Sequence, residues 1–264
     1  QQNPRLMADL IRENNVDMIQ MTPSKMQLLL NCDEELSCLK NVKEIMIGGE
    51  PFPPNLLRNL QRKTTANIYN MYGPTETTIW STISKLTHKN RIDIGRPISN
   101  TKIYIMDKDF SIVPNGQAGE ICIAGKGLAR GYVGRFDLTN EKFQYLPNDS
   151  NVRIYRTGDI GRYLPDNNLE YLGRMDNQVK IRGHRIELEE IEATINQYIG
   201  INQSVVTIKE NSKTSKELQA FYTSDNPIDH NKLIQYLSSK LPQFMVPTIF
   251  KRVEGFVQMS NGKI

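Results

Sequence analysis

What most limits the fold of this chain is a change of pattern about a third of the way along. Up to residue 90, helical stripes alternate with short apolar runs. Leu6, Leu10 and Ile11 share a helix face, and Val16-Asp17-Met18-Ile19 reads as a strand. Ser24 to Leu30 is helical again, and Val42 to Ile47 is strand-like before the Gly48-Gly49 turn. Pro53-Pro54 opens a further helix through Leu56, Leu57 and Leu60, and Ala66 to Tyr69 leads into a polar loop. Strands alternating with helices predict a mainly parallel sheet with ligand loops at the carboxyl ends of its strands.

From Ile92 to Leu172 the pattern becomes short strands between turns. Ile103 and Ile105 alternate with Tyr104, and Ile121 and Ile123 with Cys122. Pro114-Asn115-Gly116 and Pro165-Asp166-Asn167-Asn168 supply turn chemistry. A small β-barrel or distorted sheet is predicted here. A third pattern follows Asp176: a strand over Val179 to Arg182 and a helix from Leu188 to about Tyr198, with Glu187, Glu189 and Glu190 in its first turn. Strands at Ser204 to Lys209 and Leu218 to Thr223, a solvated hairpin loop at 211–216 and a helix from His230 to Leu241 complete a small α+β domain. The expected class is thus α/β plus α+β. The expected parts are a partial α/β subdomain over 1–90, a barrel-like subdomain over 91–173, a hinge at 174–176 and a mobile lid over 177–264.

Composition narrows the function. The chain has 264 residues, is 38% hydrophobic, and carries a net charge of +4 spread along its length rather than gathered in a tract. That points away from a nucleic-acid or membrane partner. No apolar run approaches a membrane span, and the polar start is no signal peptide. Three cysteines (Cys32, Cys38, Cys122) without metal-like spacing fit a reducing cytoplasm. His88, His184 and His230 are scattered, so neither a zinc site nor a Ser/His/Asp triad is suggested.

The chemistry concentrates in Asn70-Met71-Tyr72-Gly73-Pro74-Thr75-Glu76-Thr77-Thr78. An aromatic ring can lie against a base, and Gly73 lets backbone approach a ligand closely. The Thr75 hydroxyl can meet a phosphate, and Glu76 is a hard oxygen ligand for magnesium. Taken alone, the loop reads equally well as a polar β-to-α turn with no chemistry.

Further segments follow in order: Gly95-Arg96-Pro97, Gly119-Glu120-Ile121-Cys122-Ile123 and Gly127-Leu128-Ala129-Arg130-Gly131-Tyr132. Tyr155-Arg156-Thr157-Gly158-Asp159, the run from Gly173 through Arg174 and Asp176 to Gly183, and Asn261-Gly262-Lys263 complete the series. The ordered set resembles the adenylation domains of nonribosomal peptide synthetases, within the adenylate-forming superfamily. That resemblance implies use of ATP and Mg2+ to form an aminoacyl-adenylate, with transfer to the phosphopantetheine thiol of a carrier-protein partner. By resemblance, Tyr72 would stack on adenine, Gly73 would belong to the same nucleotide-binding loop, Thr75 would contact phosphate and Glu76 would bind magnesium. Asp159 would accept the ribose hydroxyls, Arg174 would reach ribose and phosphate, and Lys263 would bridge the reacting carboxylate and nucleotide. Asp176 would be the hinge, and Lys180 and Gly183 would face the pantetheine arm. The plainer readings are a turn-closing Asp159, a surface Arg174, a tail Lys263 and a merely polar strand face at Lys180 and Arg182.

The amino-acid pocket is expected to draw on Gln20, Met46, Gly48, Met71, Ile79 and Trp80, which suggests a small or medium apolar substrate side chain. The phosphate loop and amino-group aspartate usual in this family are absent from these residues, and no initial methionine is present. The sequence therefore reads as a piece of a longer protein and is expected to be inactive alone. Phe136 and Tyr163, standing where Arg-Pro and Trp are common, read as surface variation. A D-alanine–carrier protein ligase, an acyl-CoA ligase and a non-catalytic nucleotide-binding or carrier-docking module remain alternatives.

Overall fold

Three helices of the first part begin on a proline, whose fixed φ and missing amide suit the first helical position. They are α1 (Pro4–Glu13), α2 (Pro23–Cys32) and α3 (Pro54–Lys63). Asn3 and Thr22 cap the first two by accepting from the amides of Arg5 and Lys25. This is seen in a computed structural model that describes residues 3–33, 35–176, 178–181, 183–211 and 215–256. The chain divides into two units, Gln1–Asp176 and Asn177–Ile264.

In the first unit, β1 (Met18–Met21), β2 (Glu44–Gly48) and β3 (Asn67–Tyr72) pair in parallel, and β4 (Thr82–Lys85) and β5 (Arg96–Pro97) extend the sheet antiparallel. Ile19, Ile45, Ile47 and Ile68 form one face of this sheet. They pack with Ile11 of α1, Met26 and Leu29 of α2, and Leu56 and Leu60 of α3. Gln20, Met46, Gly48 and Met71 fall on the opposite face, because neighbours in register share a side.

The β-rich part holds β6 (Thr101–Met106), β7 (Gly119–Gly125), β8 (Phe143–Leu146), β9 (Asp149–Tyr163) and β10 (Leu169–Arg174). All pairings are antiparallel, in the order β10-β9-β7-β6, with β8 also on β9. Central β7 is buried on both sides. Ile121 and Ile123 meet Ile103, Leu169 and Tyr72, while Cys122 and Ala124 meet Met106 and Ile154. A short helix, α4 (Phe136–Lys142), was not foreseen, since its residues carry no clear apolar stripe. Phe136 is exposed as expected, whereas Tyr163 is half-buried and donates to the Ile103 carbonyl at 3.0 Å. Tyr163 is therefore part of the packing and not surface variation.

In the second unit, β11 (Val179–Ile181) turns back through Gly183, φ +81°, into β12 (His184–Ile186). The sequence shows only the first of these strands, because His184-Arg185-Ile186 has no alternation of its own. Helix α5 (Leu188–Asn196) and helix α6 (His230–Lys240), capped by Asp229, accompany β13 (Gln203–Asn211), β14 (Ser215–Thr223) and β15 (Ile249–Arg252). Strand β13 pairs antiparallel and β15 parallel with β14. Ile191, Ile195, Ala220, Leu233 and Leu237 are at the centre of this unit's core.

Candidate active site

Tyr72 ends β3, Asp159 lies in β9, and Arg174 ends β10 directly opposite Asp159 in register. The Tyr72 phenol donates to Asp159 Oδ2 at 2.6 Å, and Arg174 Nη1 donates to Asp159 Oδ1 at 2.9 Å. Asp176 takes another edge of the guanidinium, with Nε to Oδ1 at 2.6 Å and Nη2 to Oδ2 at 2.7 Å. Gly158 makes room for this bridge: its φ is +72°, and a Cβ there would stand 2.9 Å from Arg174 Nη2. Below it, the Thr157 hydroxyl accepts from the Asp159 amide and donates to the Ile121 carbonyl, while the Gly158 amide donates to Glu120 Oε1. The Asp159 side chain is thus aimed at Tyr72 and Arg174, and the turn-closing work falls to Thr157.

Burial, and then the charge of Asp159, push the Tyr72 phenol well above the ordinary phenol range. Tyr171, 6.2 Å from Tyr72 between ring centres, is pushed up to about 12 by the same two causes. Burial opposes the charge on Arg174, but its hydrogen bonds to Asp176 and the charge of Asp159 outweigh that and raise it. Carboxylate acceptors beside a fixed guanidinium suit vicinal hydroxyls next to an anionic oxygen. The Tyr72 ring is largely given to the core with Ile94, Ile103 and Leu169.

The loop after β3 folds tightly on itself. A Cβ on Gly73 would lie 2.5 Å from the Ile79 carbonyl oxygen and 2.7 Å from the Ser81 amide. The loop's own backbone, not a ligand, therefore occupies the space that Gly73 leaves. Thr75 is exposed on a single 3-10 turn, Thr75–Thr77. Glu76 is buried, 8% exposed, and its Oε1 accepts from the Tyr132 phenol at 2.6 Å. Burial and the Glu76 hydrogen bond push that phenol upward.

Of the expected pocket residues, four come together. Trp80 Nε1 donates to Gln20 Oε1 at 3.3 Å, and a Cβ on Gly48 would stand 2.6 Å from the Trp80 ring and 2.4 Å from the Met71 carbonyl oxygen. Met46 is beside Gln20 in register and half-buried. Ile79 is 58% exposed. Lys180 sits opposite Arg185 in the β11–β12 hairpin, and Gly183 has a conformational reason to be glycine in its turn. Lys263 lies outside the described residues. Sequence reasoning missed Tyr132, Tyr171 and Thr157 as the neighbours that hold Glu76, Tyr72 and Asp159 in place. The signal for Tyr132 was an aromatic donor in an already recognised motif.

Among the described residues, no group of three or more His, Cys, Asp or Glu side chains could hold a metal ion. The donor chemistry at Glu76 is one hard carboxylate, which fits a magnesium ion held by a single protein ligand together with substrate phosphates.

The profile of the AMP-binding enzyme family matches residues 1–133, just over half of the chain. The chain belongs to this family. Its motif resemblance to synthetase adenylation domains is borne out by its relatives. It is 41% identical over 261 residues to tyrocidine synthase 3 of Brevibacillus parabrevis, covering 98% of this chain and 4% of that protein. It is 40% identical to a dimodular nonribosomal peptide synthase of Bacillus subtilis (strain 168), covering 99% of this chain and 11% of that protein. The chain therefore spans a small part of the curated relatives it matches. Among solved structures, a nonribosomal synthetase protein containing adenylation and PCP domains superposes with a TM-score of 0.83 at 29% identity, over 97% of this chain and 52% of that one. A four-domain nonribosomal peptide synthetase bound to AMP and glycine superposes with a TM-score of 0.62 at 37% identity, over 99% of this chain and 20% of that one. AMP-binding enzymes of this adenylate-forming type are ligases, and the α/β plus α+β class expected from the sequence is theirs.

Proposed function

We propose that this chain is part of an amino-acid-activating adenylation domain. In that role it joins an amino acid's carboxylate to the α-phosphate of ATP, releases pyrophosphate, and passes the acyl group to the pantetheine thiol of a carrier domain. The observation that carries the reading is the Tyr72–Asp159–Arg174 constellation, in which a buried carboxylate and a guanidinium are held side by side. Asp159 would accept ribose hydroxyls, and Arg174 would stabilise phosphate oxygens as charge develops on them. Glu76 would hold Mg2+, which when bound neutralises polyphosphate charge. The Gln20, Gly48, Met71 and Trp80 group would receive the amino-acid side chain. Lys263 would serve the adenylation step alone, with Asp176 as the hinge and Lys180 and Gly183 on the thiolation side. A relative of known structure carries AMP and glycine, and others join adenylation to PCP domains, which supports both the substrate class and the carrier partner. Three free thiols fit a cytoplasmic setting.

The test is amino-acid-dependent pyrophosphate exchange by the protein carrying this chain in full, across a panel that includes D-alanine and fatty and aryl acids. Exchange with one or a few amino acids is expected, and exchange only with fatty or aryl acids would defeat the reading. The 264-residue chain tested alone should not support exchange.

A further inference from the structure

Tyr132 has no role in the reading above, yet the structure ties Glu76 to it and its neighbours at two points. The side chain is held by the Tyr132 phenol at 2.6 Å, and the Glu76 carbonyl accepts from the Ala129 amide at 2.8 Å. The segment around Tyr132 is itself braced. Arg153 donates to the carbonyls of Ala129 and Arg130 at 2.7 and 2.8 Å, and its guanidinium lies 4.5 Å over the Phe143 ring. Phe143 meets the Tyr132 ring edge-on at 5.8 Å between centres. On the other side, the Tyr132 amide donates to the Thr139 hydroxyl of α4 at 2.9 Å.

We propose that Tyr132 is the positioning residue that orients the Glu76 carboxylate toward a divalent cation. The inference rests on the reading of Glu76 as the metal ligand. A glutamate carboxylate on a free side chain sweeps a wide arc, and ordering it only when the metal arrives would weaken binding. A hydrogen bond to one oxygen fixes the plane of the group and leaves lone pairs directed elsewhere. The donor chosen is a neutral phenol. A lysine or arginine in its place would hold the carboxylate equally well but would offset the negative charge that attracts the cation. An ordinary loop tie would need neither the short contact to the charged group nor the bracing of the donor residue, by Phe143 against its ring and by α4 at its backbone amide.

The test uses Mn2+ as the probe, with the free ion counted by electron paramagnetic resonance in the presence of ATP. The protein is the one that carries this chain in full. Tyr132→Phe should weaken Mn2+ binding about tenfold, while AMP binding in a chelating, metal-free buffer stays at the wild-type level. The double variant Tyr132→Phe/Glu76→Gln should bind Mn2+ no more weakly than Glu76→Gln alone, because the two residues act through one carboxylate. Wild-type Mn2+ affinity in Tyr132→Phe, or a loss that adds to that of Glu76→Gln, would overturn the proposal. Wild-type affinity in Glu76→Gln would show instead that Glu76 is not the ligand, and the inference would fall with that reading. Tyr132→Phe changes one atom, and circular dichroism checks its fold. Should it fail to fold, 3-fluorotyrosine at this position, a stronger donor in the same ring, should hold or raise the affinity, and a fall would overturn the proposal.

Discussion

Asp159 and Arg174 show how single residues carry this site, since each is nearly buried and each answers the other's charge at 2.9 Å. Removing one partner of such a pair strands the other, at a cost of about 3 kcal/mol. Arg174→Met should therefore lower the stability of the first unit by about that amount and weaken AMP binding, as read by urea unfolding and calorimetry. Unchanged stability would mean that solvent already screens the pair. Gly48 offers a purely steric case, because a methyl group there meets the Met71 backbone and the Trp80 ring. Gly48→Ala should lose about 1–3 kcal/mol and shift the fluorescence of the chain's single tryptophan. The phenols give a pH signature. Tyr72 and Tyr171 are raised in the fold, Tyr171 to about 12, so the fold favours their protonated forms. Their contribution is complete below the unfolded value of about 10 and is lost as pH rises through the folded values. Absorbance of tyrosinate near 295 nm should show these rings ionising late, and in step with unfolding.

At the scale of elements, the loop after β3 is where local preference and fold disagree. Thr78 and Ile79, adjacent and both β-branched, hold φ of +65° and +71°. Such conformations cost roughly 1–2 kcal/mol for a residue with a Cβ. The surrounding structure holds them there, through the Thr78 hydroxyl on the Gly127 carbonyl and the Ser81 amide on the Tyr72 carbonyl. Strain of this kind collects at functional sites. Because Ile79 is exposed, Ile79→Asn should stabilise the fold by about 0.5–1 kcal/mol, read as a rise in the thermal midpoint. The three helices α1 to α3 are the opposite case. Pro4, Pro23 and Pro54 start them, apolar stripes bury them, and pattern and structure agree to within a few residues.

For the whole molecule, the division between Asp176 and Asn177 falls next to the proposed hinge. Asp176→Pro would fix φ and remove an amide donor. In the complete protein it should impair adenylation and thiol transfer to very different degrees, measured as separate half-reactions. Equal losses would count against a hinge there. Lys263→Ala should suppress adenylation strongly while transfer from a pre-formed adenylate largely survives.

The sequence by itself determined the class of fold, the order of most elements and the family. It could do so because periodicity, proline starts and glycine turns act over a few residues, and because the motifs follow one another in a specific order. The locations of Tyr72, Asp159 and Arg174 were legible in the same way. Their partnerships were not. Tyr72 meets Asp159 across 87 residues of chain, and Glu76 meets Tyr132 across 56. No local pattern encodes which distant donor will face a given carboxylate. That depends on the strand register of β9 and β10, on a Thr157 hydroxyl that fixes the turn, and on a loop folded back over Gly73. The second hairpin strand, His184–Ile186, was hidden for the same reason, since pairing with Val179–Ile181 defines it and its own sequence does not.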